Sequence, residues 1–204
     1  MQVIDPASLE GRAPYHLLTS LVVPRPIAWV SSLSAEGTRN LAPHSYFNAI
    51  SSDPLIVHFT QTGVKDSVRN VEATREFVVN VVSRELVERM NVTAANMPPE
   101  EDEFTWAGLA AAPSARVAPP RVAEAKAAFE CSVEEIVRLG NGNMVFGRVL
   151  CIQIDESVMR HGRVDPRLLR PVGRMGGAGY TDAAAELFDV HRLTWDDLRG
   201  RSEG

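Results

Sequence analysis

Three short stretches carry the side chains whose types and spacing could do chemistry. Lys65-Asp66-Ser67 stands where an apolar run, LIVHFT at 55–60, gives way to helical spacing at Val68 and Val71. A helix start presents unbonded N–H groups and a positive partial charge, so it attracts phosphate. Lys65 adds a full charge and Ser67 a hydroxyl donor. The same tripeptide also suits a surface helix capped by Asp66 or Ser67. The second stretch, SYFNAISS at 45–52, sets Ser45, Asn48, Ser51 and Ser52 among apolar residues. In a buried strand those polar groups need partners, and a flat heterocycle with donors and acceptors along one edge would supply them. A strand end breaking into a turn at Asp53-Pro54 explains them equally well. The third stretch, RPVGRMGGAGY at 170–180, is glycine-rich and reads as irregular. Arg174 and Tyr180 within it suit either a loop that closes on a nucleotide or a dimer contact.

Other chemistries lack their residues. His44 and His58 sit in strand-like runs with no acidic or histidine partner at zinc-like or iron-like spacing, so no metal site is expected. No serine lies in Gly-x-Ser-x-Gly. Cys131 and Cys151 occupy separate apolar segments without Cys-x-x-Cys spacing and read as small core residues. No Gly-x-Gly-x-x-Gly follows a strand, which argues against a Rossmann domain.

The elements that must position these residues follow from apolar periodicity. Residues 15–23 suit a short helix running into a strand. A strand at 27–33 has apolar residues on both faces, so both should be covered. A turn at 34–37 leads to a returning strand at 41–49, and Pro43 within it implies an edge or a bulge. A third strand at 55–60 precedes a helix at 66–74. A buried strand at 76–82 and a helix at 84–95 come next. The four consecutive acids at 100–103 read as a solvated face. Residues 104–109 suit a flap or short helix. Two long strands, 127–139 and 143–154, meet through Gly140-Asn141-Gly142-Asn143, a strong hairpin signal. One helical turn at 165–169 and a last strand at 188–193 complete the reading. At least six strands with few helices suggest an antiparallel barrel.

The whole chain sets outer bounds. Its 204 residues suit a single domain over 1–204, with the core at about 15–193 and peripheral ends. A net charge of -5 provides no basic field for nucleic acid or anionic lipid. No segment is apolar for long enough to span a bilayer, and acids precede any apolar run at the N-terminus. Neither a nucleic-acid nor a membrane partner is expected, and the cytoplasm is the expected location.

The motifs taken together resemble the flavin-reductase-like family of FMN-binding split barrels. They are Arg25-Pro26-Ile27-Ala28-Trp29-Val30-Ser31, Asn40-Leu41-Ala42-Pro43, Phe47-Asn48-Ala49-Ile50-Ser51-Ser52-Asp53-Pro54 and Lys65-Asp66-Ser67-x-x-Asn70. Glu76-Phe77-Val78-Val79-Asn80 and Arg170-Pro171-Val172-Gly173-Arg174-Met175-Gly176-Gly177 fit the same family. The resemblance implies a mainly β fold with flanking helices: a six-stranded antiparallel split β-barrel with Greek-key connections, forming a homodimer. It implies FMN in a groove near the dimer interface. The ring and ribityl chain would meet Ser45, Asn48, Ala49, Ile50 and Ser51. The phosphate would meet Lys65, Asp66 and Ser67, with Arg25 as a second positive contact.

The implied activity is an NAD(P)H:flavin oxidoreductase. Hydride passes from NADH or NADPH to FMN and on to a second acceptor: free flavin, oxygen or a partner oxygenase. No protein acid or base is obligatory, because the cofactor carries the chemistry. Asn143, Arg174 and Tyr180 are the expected substrate contacts. Many relatives carry Gly-Asp-His before the late strand; here Gly142-Asn143-Met144 takes its place. That departure keeps open an alternative, an FMN-binding electron carrier or flavin store without its own NAD(P)H turnover. Lys-Asp-Ser in place of the commoner Lys-Asp-Thr keeps the hydroxyl.

Overall fold

The structure is a computed structural model that describes residues 1–202, with side chains through residue 199. Its strands are β1 (Arg25–Pro26), β2 (Ala28–Leu33), β3 (Arg39–His44), β4 (Phe47–Ser52), β5 (Leu55–Thr62) and β6 (Glu76–Val81). A short pair, β7 (Ala111–Ala112) and β8 (Arg121–Val122), precedes the long hairpin β9 (Ala127–Leu139) and β10 (Gly142–Ile154). Two further pairs are β11 (Met159–Arg160) with β12 (Arg163–Val164), and β13 (Val172–Arg174) with β14 (Tyr180–Asp182). The helices are α1 (Ala13–Leu21), α2 (Asp66–Thr74), α3 (Val87–Val92), α4 (Glu103–Trp106), α5 (Pro166–Leu169) and α6 (Trp195–Ser202). No helix among the described residues is long and apolar enough to cross a membrane.

The main sheet is antiparallel throughout, in the order β3-β2-β6-β9-β10-β5-β4. It holds seven strands rather than the expected six, because the returning run at 41–49 divides into β3 and β4. Pro43 lies in β3, an edge strand, where its missing N–H interrupts no inner ladder. The two edge strands are consecutive in the chain and joined only by Ser45-Tyr46. A sheet whose edges are tied by so short a link must curl, and the His44 ring of β3 lies 4.8 Å from the Phe59 ring of β5. The Asn-Gly signal holds: β9 and β10 turn over at Gly140-Asn141.

β2 is covered on both faces, as its composition requires. Ala28 and Val30 join an inner cluster with Phe59, Phe77, Val79 and Val145, to which α2 contributes Val68 and Val71. Packing there is tight: a Cβ on Gly147 would stand 2.3 Å from the Phe77 ring, so only glycine fits. Trp29 faces the other way, into an outer cluster with Leu41, Met90, Phe104 and Val172. Its indole N–H donates to Thr93 Oγ1 at 2.9 Å, which ties the segment after α3 to the sheet.

Several expected boundaries shift. The helix over 84–95 is a 3-10 turn, Arg84–Leu86, followed by the short α3. The acidic run is not wholly solvated. Asp102 caps α4 by accepting from the Phe104 amide at 2.9 Å, and the buried Glu103 accepts from the Leu41 amide, also at 2.9 Å. The segment at 170–180 is not wholly irregular, because β13 pairs with both β1 and β14. Residues 188–193 form no strand, and Phe188 and Val190 are exposed.

Candidate functional site

The start of α2 is built by the strand before it. Val57 and Phe59 of β5 point inward, and two-residue alternation puts Gln61 on the same face. Its side-chain oxygen accepts from the amides of Lys65 at 3.2 Å and Val68 at 3.3 Å. The cap of α2 is therefore Gln61 rather than Asp66 or Ser67. Asp66 instead pairs with Arg69 at 2.5 Å. The buried Asn143 of β10 secures the same turn, donating to Gly63 O at 2.8 Å and Gln61 O at 3.3 Å.

Ser67 turns inward and is 1% exposed. Its hydroxyl accepts from Asn40 Nδ2 at 3.2 Å and lies 3.3 Å from His44 Nε2. Asn40 and His44 reach the same point because both occupy even positions of β3 and share a face. Asn40 and Asn70 also donate to Ser32 Oγ, at 3.3 and 3.1 Å, so the buried hydroxyls and amides satisfy one another. Burial, and then the nearby charge of Lys65, lower the pKa of His44 to about 4. The ring is neutral at neutral pH.

Above this network lies a cavity of about 650 Å³, lined by Asn40, His44, Gln61, Lys65, Ser67 and Asn96 among others. Lys65 Nζ donates across it to Asn96 Oδ1 at 2.8 Å. A second cavity of about 410 Å³ holds Arg12, Arg25, Ser45, Arg174 and Tyr180 in its wall. Tyr15, Pro43 and Ala94 line both, so the two adjoin.

The structure thus groups the expected residues in three places. Lys65, Asp66 and Ser67 line the first cavity. Arg25, Ser45, Arg174 and Tyr180 line the second. Asn48, Ala49, Ile50 and Ser51 lie on β4, the free edge of the sheet, and line neither cavity. The premise of a buried strand there is overturned: Asn48, Ala49 and Ile50 are exposed, and a bulge between Ala49 and Ser51 breaks the pairing with β5.

Arg25 and Asn143 are engaged with main chain. The Arg25 guanidinium donates to the carbonyls of Thr19 and Val22, each at 2.7 Å, and of Met175 at 3.2 Å. It braces α1 against the glycine-rich segment, in a different cavity from Lys65. Asn143 lines neither cavity, its amide being held by the 61–63 carbonyls. Arg174 stacks on Tyr180, 4.5 Å from the ring centroid, and donates to Gly177 O at 2.5 Å.

Sequence reasoning missed Tyr15, Gln61 and Asn96, named Asn40 only within a family motif, and gave His44 no role in the site. Gln61 carried a signal, as a polar residue in phase with Val57 and Phe59 on an inward face. Asn40 and His44 carried a similar one, two residues either side of Ala42. Tyr15 and Asn96 carried none, since only tertiary folding brings α1 and the 93–99 loop to the cavity.

Known proteins resemble this chain closely. The family model described as Flavin reductase like domain matches residues 20–167. An uncharacterized protein of Aquifex aeolicus (strain VF5) is 39% identical over 183 residues, covering 87% of this chain and 93% of its own. The crystal structure of nitrilotriacetate monooxygenase component B from Bacillus cereus superposes with a TM-score of 0.89 at 34% identity, covering 93% of this chain and 98% of that one. That of the Pseudomonas fluorescens 2-nitrobenzoate 2-nitroreductase NbaA superposes with a TM-score of 0.88 at 31% identity, covering 95% and 98%. A profile match across most of the chain, joined to relatives alike over nearly their whole length, places this protein in the flavin-reductase-like family.

Proposed function

We propose that this protein is an FMN-binding oxidoreductase that accepts hydride from NADH or NADPH and passes it to a second acceptor. The observation that carries the reading is the first cavity, where Lys65, Ser67 and the start of α2 converge beside a second, aromatic chamber. The donor set suits FMN. The Lys65 ammonium, the Thr62 hydroxyl and the Asp66 and Ser67 amides of the first turn of α2 match the chemistry of a phosphate. The acids on the same wall are already engaged, Asp66 by Arg69 and Glu103 by the Leu41 amide. A volume of about 650 Å³ falls within the size class of ligand pockets.

FMN, when bound, supplies a ring system that takes up and returns hydride. The chain's own residues bind, orient and shield. Lys65 and Ser67 hold the phosphate, and Gln61 and Asn143 fix the turn that presents them. The exposed β4 edge offers unpaired main-chain groups, with Asn48 and Ser51, to the ring and ribityl chain. Arg25 holds α1 and the glycine-rich segment in place, so that Arg174 and Tyr180 line the slot for the hydride donor.

A homodimer completes the groove in this reading. The β4 edge, with Ile50 50% exposed, and the exposed Phe188 and Trp195 present apolar surface that a second copy would cover. The buried Nδ1 of His58, beside Asn48 across the strand pair, lacks a hydrogen-bond partner among the described residues. Similarity to a monooxygenase component B supports an oxygenase as recipient of reduced flavin. The site of action is the cytoplasm.

One observation favours the second reading, an FMN-binding carrier or store without NAD(P)H turnover. Gly142-Asn143-Met144 stands where many relatives carry Gly-Asp-His, so Met144 takes the place of the usual donor-contact histidine, and Asn143 beside it is held by loop carbonyls. Absorption spectra of the purified protein, before and after anaerobic mixing with NADH or NADPH, separate the two. A flavin spectrum that bleaches at a catalytic rate is expected. A flavin spectrum that persists would leave the carrier, and a colourless protein that takes up no added FMN would refute both.

A further inference from the structure

The second cavity is positive in a chain whose net charge is -5. Arg12, Arg25 and Arg174 stand in its wall, with no aspartate or glutamate among the lining residues. Arg25 makes four hydrogen bonds, to the carbonyls of Thr19, Val22 and Met175 and to Ser45 Oγ, whereas Arg174 makes one, to Gly177 O, and keeps donors to spare. Neither Arg12 nor Arg174 forms an ion pair among the described residues. Each lies over a tyrosine, Arg12 at 5.1 Å from the Tyr15 centroid and Arg174 at 4.5 Å from that of Tyr180. Stacking holds the plane of a guanidinium and leaves its fork of N–H donors at the edge, the geometry that matches a carboxylate. Two such arginine–tyrosine pairs in one acid-free cavity provide both an anion contact and flat aromatic walls.

We infer that this cavity binds a small aromatic carboxylate, with Arg12 and Arg174 contacting the carboxylate and Tyr15 and Tyr180 flanking the ring. The ligand class follows from the cavity itself. Its role as second substrate rests on the flavin reading, because the cavity adjoins the Lys65 chamber through Tyr15, Pro43 and Ala94. A phosphate would also satisfy two arginines, so the phosphate arm of a dinucleotide is the competing source of the same anionic chemistry. The two tyrosine rings beside the arginines favour the aromatic acid, which would occupy the slot in turn with the hydride donor.

Isothermal titration of the full-length protein with sodium benzoate, benzamide and adenosine 2′,5′-bisphosphate tests this. Benzoate should bind at least about tenfold more tightly than its uncharged amide, the scale of one charge-assisted contact. Arg12→Gln and Arg174→Gln should each weaken benzoate by about tenfold while leaving benzamide unchanged, and Arg12→Lys should recover part of the loss. Equal affinity for benzoate and benzamide would overturn the proposal, and that comparison needs only the wild-type protein. So would bisphosphate binding more tightly than benzoate and being lost in the same variants. Flavin content is read on the same samples. Discrimination between benzoate and benzamide in a protein that takes up no FMN would uphold the cavity assignment and reject the flavin reading.

Discussion

Lys65 and His44 face one cavity and carry opposite expectations for mutation. Lys65 is exposed and makes one side-chain hydrogen bond, to Asn96. Lys65→Ala should therefore leave the melting temperature nearly unchanged. Its loss should weaken FMN by about 10- to 150-fold, the equivalent of ~1.5–3 kcal/mol for a charged hydrogen bond. An unaltered FMN dissociation constant, measured by fluorescence titration, would remove Lys65 from the site. His44 acts on stability instead. Its pKa in the fold, about 4, lies below its ordinary 6.5, chiefly because burial disfavours the charged ring. As pH falls through that interval the unfolded chain takes up the proton first, so stability present above pH 6.5 declines toward pH 4. The loss should approach about 3 kcal/mol. Urea midpoints at neutral pH and near the lower pKa, for wild type and His44→Gln, isolate this contribution. A variant with an undiminished pH dependence would place its source elsewhere.

At the scale of elements, the site depends on how β5 hands the chain to α2. Gln61 is in β5, yet its side chain satisfies two amides at the start of α2, while Asn143 of β10 holds the turn between them. Gln61→Ala should cost about 0.5–2 kcal/mol of stability, the range for loss of a helix cap, and should weaken FMN as the α2 start loosens. Gln61→Glu separates the two effects. A carboxylate still accepts from both amides, so stability should hold, but its negative charge beside the phosphate should weaken FMN. Thermal melts and FMN titration of both variants decide the matter. Equal FMN affinity in Gln61→Glu and wild type would move the phosphate away from this turn.

For the whole molecule, the element that needs cover is β4. A sheet whose two edges, β3 and β4, are joined by only two residues leaves β4 as a free edge, with Ile50 exposed at a bulge. Unpaired edges invite another chain, and in the homodimer proposed above that chain is a second copy. Ile50→Asp should convert a dimer to a monomer in sedimentation velocity, with a large loss of FMN affinity and little change in the circular dichroism spectrum. A wild-type protein that sediments as a monomer would refute the homodimer.

Local order was legible in the chain alone. Alternation located β2, β5 and β6, the Asn-Gly turn located the β9–β10 hairpin, and Lys65-Asp66-Ser67 marked the start of α2 at its observed residue. These depend on steric and hydrogen-bonding preferences within a few residues, which the sequence expresses directly. The order of motifs also pointed to the family. Tertiary structure decided what lies far apart in the chain. Gln61 replaced Asp66 and Ser67 as the cap because its side chain reaches a helix that the strand itself does not belong to. Arg25 met the carbonyl of Met175, and Glu103 left solvent to meet the Leu41 amide, because folding brought unsatisfied partners to them. The burial of β4 was misjudged for the same reason: its sequence allows a buried strand or a strand end, and only the path of the sheet shows that this strand is an edge. Side-chain pattern determines what an element is; its neighbours determine what each polar group must bond.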